Sequence, residues 1–225
     1  MPLSRAPISY SVSAISSSPL RFFASLPLFA DCAVERVHVD VMDGGFVPRL
    51  GLYPEFVREI RSISNLPIDI HMMMLDPEPY FEDFVAAGAT RLVPHIEPIT
   101  HVHRAMQKAH DLGAEFGFAL NLHTDLTTLR YIARDLHSVT LMAINPGIVG
   151  HGFIEAAYDR ITDAREFLDS ANFAGSLEVD GGITFDNIPR VRACGANNLV
   201  IGAGTVYHPS ASLAQNVERL TLLAA

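Results

Sequence analysis

At 225 residues the chain is long for a β-sandwich and close to the usual size of a one-domain barrel. Its hydrophobic fraction of 49% supplies a large core, and a charged fraction of 18% suits strands buried on both faces. The net charge of −9 argues against a nucleic-acid partner, and no basic amphipathic stretch or long apolar run points to a membrane.

In chain order, the first segment is rich in serine (Ser9, Ser11, Ser13, Ser16, Ser17, Ser18) but has no apolar stretch of the kind a signal peptide needs. A strand is expected there from about residue 7, over Ile8–Ile15. Further strands are expected at Arg36–Met42, Pro67–Met72, Arg91–His95, Glu115–Asn121, Ser138–Asn145, Ser176–Asp180 and Asn198–Ile201. Several are nearly continuous apolar runs, such as Val139 to Ile144, as parallel strands covered by helices require. Between them, Phe81, Phe84, Val85 and Gly88 follow helical spacing, as do Ile154, Ala157, Tyr158 and Ile161. Asp125-Leu-Thr-Thr-Leu reads as a helix start, and Gly113 and Gly195 read as helix stops. Eight strands alternating with seven or eight helices predict a single (β/α)8 TIM barrel over residues 1–225, with an open doubly wound sheet as the structural alternative. The two cysteines, Cys32 and Cys194, stand alone in sequence, which predicts buried free thiols and a reducing, cytoplasmic setting.

Barrel enzymes build their sites at the C-terminal ends of strands. Alternation puts His38, Asp40 and Met42 on one face of the second strand, and Asp69, His71 and Met73 on one face of the third. The seventh ends at Asp180-Gly-Gly. Two imidazoles and two carboxylates (His38, Asp40, His71 and Asp180) can therefore converge as ligands for Zn2+, Fe2+ or Mn2+. Met42, Met73 and Met142 read either as core filling or as an apolar lining. Glycines gather in the loops after strands six, seven and eight: Gly147 and Gly150, Gly181 and Gly182, Gly202 and Gly204. Backbone amides in such loops form a common barrel phosphate site.

Taken together, His38-Val-Asp-Val-Met-Asp-Gly44, Phe46-Val-Pro48, Ile70-His-Met-Met73, Asn145-Pro-Gly147 and Glu178-Val-Asp-Gly-Gly-Ile183 resemble the ribulose-phosphate 3-epimerase family over nearly the whole chain. The resemblance implies one divalent metal, Zn2+ first and Fe2+, Mn2+ or Co2+ otherwise, held by His38, Asp40, His71 and Asp180. It implies Asp40 and Asp180 as acid and base, with Ser13, Met42, His71, Met73 and Met142 at the substrate. It also implies phosphate among Gly147, Gly150, Gly181, Gly182, Gly202 and Ala203. The expected partner is a phosphorylated ketose, most simply D-ribulose 5-phosphate, and a homo-oligomer is expected.

The chemistry agrees with the residues. Inverting a carbon beside a ketone needs a base on one face and an acid on the other, and a cation stabilises the resulting enediolate. The rim departs from the family pattern. Arg49 stands in place of Asn, Val149 and Gly150-His151 in place of Gly-Gly-Gln, and Ala203 in place of a serine. An epimerase of another ketose phosphate, such as allulose 6-phosphate, therefore stays open, as does a catalytically silent binding barrel. Orotidine-monophosphate decarboxylase resembles the second-strand segment distantly, but Met42 occupies the place where that chemistry needs a lysine.

Overall fold

Eight parallel strands close on one another in chain order, the first bonding to the eighth. The computed structural model describes residues 8–30, 32–148 and 151–224. The strands are β1 (Ser9–Ser13), β2 (Val34–Met42), β3 (Ile68–Met73), β4 (Arg91–Pro94), β5 (Glu115–Leu120), β6 (Ser138–Met142), β7 (Ser176–Asp180) and β8 (Asn198–Ile201). The helices are α1 (Pro19–Ser25), α2 (Pro54–Ile63), α3 (Phe81–Ala86), α4 (Val102–Asp111), α5 (Ala157–Ser170), α6 (Ile188–Ala193) and α7 (Leu213–Ala224). This is the (β/α)8 barrel expected from the sequence.

Local chemistry sets several boundaries. Ser18 caps α1 by accepting from the Arg21 amide, and Pro19 follows at the first helical position, where its missing N–H costs nothing. Gly113 follows α4 and Gly195 follows α6, where the sequence places the stops. The segment after Asp125 differs from the helix start read there. Asp125 accepts from the Thr127 amide, but the chain forms two short 3-10 turns, Leu126–Leu129 and Ala133–Asp135. Thr128 also bonds back to the Asp125 carbonyl, and such local bonds by short polar side chains compete with an α-helix.

Several strands are shorter than their apolar runs. Ala14 and Ile15, His95, Asn121 and residues 143–145 lie past the ends of β1, β4, β5 and β6, in the turns that carry the site. β2 instead begins two residues earlier than expected, at Val34. Residue 7, where the first strand was expected to open, lies outside the described residues. Cys32 and Cys194 form no disulfide and are only partly buried, because they sit at element ends rather than in the core.

Alternation sorts each strand into two environments. Val37, Val39 and Val41 of β2 join the main apolar core with Phe56, Val57 and Ile60 of α2. The alternate residues, His38, Asp40 and Met42, face inward and are also buried. The barrel interior carries a charged layer beneath them. Arg91, 2% exposed, donates through Nη2 to both Asp69 and Glu178. Arg36 reaches Asp69 at 3.0 Å, and Ser176 and Thr140 donate to Glu178 at 2.9 and 3.2 Å. Burial alone would lower the Arg91 pKa, but the facing carboxylates of Glu178 and Asp69 raise it. The buried guanidinium thus stays charged because it is paired.

Candidate metal centre and active site

His38 and Asp40 from β2, His71 from β3 and Asp180 from β7 meet at the C-terminal mouth. One ligand atom from each lies within 4.8 Å of the other three. Nε2 of His38 and Nδ1 of His71 are 3.2 Å apart. Asp40 Oδ1 stands 3.4 Å from both nitrogens, and Asp180 Oδ2 stands 3.5 Å from His38 and 3.3 Å from His71. Atoms at metal–ligand distances of about 2.0–2.2 Å around a tetrahedral centre are separated by roughly 3.3–3.6 Å. The spacing and the mixed nitrogen–oxygen donor set both fit a divalent cation of the Zn2+ class.

The electrostatics agree. Burial would depress the His38 imidazole, but the Asp40 and Asp180 carboxylates overcome it and raise the pKa well above the ordinary value. His71 is raised against burial in the same way, chiefly by hydrogen bonding to Asp180 and Asp40. Burial would raise both aspartates, yet the two histidines hold Asp40 far below the carboxylate range and lower Asp180 as well. The cluster is a concentration of negative charge that attracts positive charge, from protons or from a metal. Ser13, at the end of β1, donates to Asp40 Oδ2 at 2.8 Å and fixes that carboxylate's rotation.

Behind His71 the polar contacts continue. Its Nε2 lies 3.0 Å from Nε2 of His95, whose Nδ1 lies 3.0 Å from Glu97 Oε2. The other Glu97 oxygen accepts from the Asn121 amide at 2.7 Å and from the Thr124 hydroxyl. Burial raises the Glu97 carboxyl, but His95 and these donors bring it down to about 2. Burial and the neighbouring His71 lower His95 despite its bond to Glu97. In contrast, Nδ1 of His38 has no hydrogen-bond partner among the described residues.

Above the cluster opens a cavity of about 550 Å³. Ser13, Asp40, Met42, Met73, Met142 and Asp180 line its floor and walls, and Gly147, Gly181, Gly182, Gly202 and Ala203 line its glycine side. His38 and His71 do not line it, being 1% and 0% exposed beneath its floor. Gly150, expected at the phosphate, lies outside the described residues, as does Val149. Arg49 and His151 both line the cavity, so the altered rim residues do face the site.

Two local devices shape the mouth. Gly182 takes φ +67, and a Cβ there would stand 2.6 Å from the Phe153 amide nitrogen, so the β7 loop can pass this close only as glycine. Asp43 accepts from the amides of Gly45, Phe46 and Leu75, each at 2.8 Å, tying the β2 loop to the β3 loop. That places Val47 against Met42 and Met73, and the Phe46 ring 4.7 Å from the His95 ring. Sequence reasoning missed His95 and Glu97 behind His71, and Ser16 in the cavity lining, as parts of this region. His95-x-Glu97 at a strand end is the one signal that could have been read.

A closed barrel with this donor cluster beneath a glycine-edged cavity defines a (β/α)8-barrel enzyme whose centre can hold a divalent metal. The model of the ribulose-phosphate 3-epimerase family matches residues 10–206, and the chain belongs to that family. It is 38% identical over 182 residues to ribulose-phosphate 3-epimerase of Bacillus subtilis (strain 168), covering 80% of this chain and 82% of the relative. The Aquifex aeolicus (strain VF5) enzyme of that name is 39% identical over 168 residues, covering 75% and 76%. That of Escherichia coli (strain K12) is 36% identical over 174 residues, covering 77% of each. Among solved structures, a mutant tryptophan synthase α-subunit from Pyrococcus furiosus superposes with a TM-score of 0.67 at 15% identity, covering 97% of this chain and 96% of that one. That likeness shows the fold alone.

Proposed function

We propose that the chain interconverts D-ribulose 5-phosphate and D-xylulose 5-phosphate by inverting C3, with residues 1–225 acting as one catalytic domain. The observation that carries this reading is that Asp40 and Asp180, from β2 and β7, both line the same cavity and both reach the same two imidazoles, His38 and His71. One aspartate removes the C3 proton from one face of the substrate and the other delivers a proton to the opposite face. Their roles exchange with direction. Ser13 holds Asp40 in position for the transfer, and Met42, Met73 and Met142 surround the enediolate and keep water from quenching it. The amides around Gly147, Gly181, Gly182, Gly202 and Ala203 take the phosphate.

His38, Asp40, His71 and Asp180 would hold the metal, Zn2+ before Fe2+, Mn2+ or Co2+. When bound, the cation supplies positive charge beside the oxygens that become negative during proton removal. The unbridged cysteines are in keeping with a reducing cytoplasm, and the substrate with the pentose phosphate pathway. Among the described residues no helix is long and apolar enough to cross a membrane. A homo-oligomer is the expected assembly.

A second reading has a specific observation behind it. Arg49, His151 and Ala203 alter the rim at positions that line the cavity, which favours a different ketose phosphate such as allulose 6-phosphate. The deciding experiment assays metal-stripped and Zn2+-reloaded protein against a panel of ketose phosphates. Epimerisation of ribulose 5-phosphate that returns with Zn2+ and exceeds that of every other sugar is expected. Faster turnover of another ketose phosphate rejects the pentose assignment, and equal rates with and without metal reject the metal.

A further inference from the structure

The tautomer of His71 is a chemical problem in this cluster. A neutral imidazole carries one proton, on either nitrogen, and a metal needs the other one bare. Nδ1 of His71 faces Asp40 at 3.4 Å and Asp180 at 3.3 Å. Two carboxylates so close would draw the proton to Nδ1, the nitrogen that a metal must use. Something on the far side of the ring has to pull the other way.

We propose that His95 and Glu97 are positioning residues that hold His71 in its Nε2-protonated tautomer and keep Nδ1 open for the metal. The proposal rests on the metal centre described above and deepens it. Hydrogen-bond polarity determines each step. Glu97 is an acceptor, and its other oxygen is committed to the Asn121 amide and Thr124 hydroxyl, so it does not turn away. His95 therefore places its proton on Nδ1, 3.0 Å from Glu97 Oε2. Its Nε2 is then a lone pair, 3.0 Å from Nε2 of His71, and can only accept. His71 must donate there, and its lone pair is left on Nδ1.

The surroundings reinforce the arrangement. His95 is fully buried, so water cannot substitute for either contact, and Phe46 packs against its ring. His71 and His95 lie nearly parallel, with ring planes 23° apart. His38 has no such support at its outer nitrogen among the described residues, so the two metal-facing imidazoles are fixed by different means. Hydrogen-bonded partners of ligating histidines orient the ring and raise its basicity, and their loss typically weakens metal binding by about 10–100-fold.

The test measures Zn2+ affinity by competition with a chromogenic chelator for the wild type, Glu97→Gln and His95→Phe, with melting of each metal-free protein recorded alongside. It adds 15N NMR of the imidazoles in the wild type, both metal-free and Zn2+-loaded, because a bound ion would by itself leave His71 protonated on Nε2. The expected result is tight binding by the wild type and a Kd about 10–100-fold weaker in both folded variants. The spectra should show His95 protonated on Nδ1 and His71 on Nε2 in the metal-free protein as well as the loaded one, so that the ion is not what sets the tautomer. Folded variants with Kd within about twofold of wild type, or a His95 protonated on Nε2, overturn the relay and leave the metal centre standing. A wild type that binds no Zn2+ overturns the metal centre and the relay with it. Should neither variant fold, the wild-type spectra decide.

Discussion

Oδ1 of Asp40 and Oδ2 of Asp180 rise from different strands yet stand 3.4 and 3.3 Å from one atom, Nδ1 of His71. The same two carboxylates line the floor of the cavity. Each is thus positioned to ligate and to exchange protons with a substrate above. Asp40→Asn and Asp180→Asn should each lower kcat by about 10²–10⁴-fold, since an amide cannot take the proton. Metal content has to be measured on the same samples, because loss of a ligand would also lower the rate. Near-wild-type turnover in a metal-replete variant defeats the two-aspartate scheme.

Ala203 lines the glycine side of the cavity beside Gly202. A hydroxyl donated to a phosphate oxygen contributes about 1.5–3 kcal/mol, equivalent to a tenfold change in affinity or more. Ala203→Ser should lower KM for ribulose 5-phosphate by about tenfold with little effect on kcat. If KM does not move while the unmodified enzyme turns over another ketose phosphate faster, the pentose is not its substrate.

Arg91 pairs with both Asp69 and Glu178 in the barrel interior, and Arg36 is the second cation at Asp69. Arg91→Met leaves buried Glu178 without a charged partner, beside an Asp69 that keeps only Arg36, which should cost about 3–5 kcal/mol in urea unfolding. Adding Asp69→Asn and Glu178→Gln should recover part of that loss. A cost below about 1 kcal/mol for the single change would show that the layer is wetter than its burial indicates.

Tyr10 is fully buried and its hydroxyl has no hydrogen-bond partner among the described residues. Burial pushes its pKa up to about 12, against a smaller opposing effect of Arg192. Between pH 10 and 12 the unfolded chain has lost this proton while the folded chain keeps it. The unfolded state then binds fewer protons, so stability falls as pH rises through that window, by about 2–3 kcal/mol in all. Tyr10→Phe should remove that part of the slope in urea titrations at pH 8 to 12, roughly the window set by the two pKa values. An unchanged slope would assign alkaline unfolding to other groups.

Much of this molecule is legible from pattern alone, and the limits of that reading are physical. Alternation with period two puts His38 and Asp40 on one face of β2 and His71 on one face of β3, and the rule that barrel sites sit at strand C-termini does the rest. The partnership of His95 with His71 is different. It depends on the register of β4 against β3, where His71 pairs with Val93, and on a side chain just past the strand end. No single strand's pattern carries that information. Arg91 likewise reads only as a strand's first residue, and its role emerges when Asp69 and Glu178 are brought in from β3 and β7. At Asp125 the cap is correctly visible, yet a cap specifies where a turn begins and not which kind of helix follows.

The charged layer has a further consequence for traffic. Arg91 faces a second cavity of about 500 Å³ at the opposite mouth, lined also by Arg36, Glu115 and Ser176. Asp69 and Glu178 lie two residues below His71 and Asp180 on their strands, so the Arg91 layer forms a bulkhead between the two cavities. The barrel is a well and not a tunnel. Anything that enters above the His38, Asp40, His71 and Asp180 cluster must leave by the same opening, so two ligands compete for one doorway and whatever occupies it shuts out both.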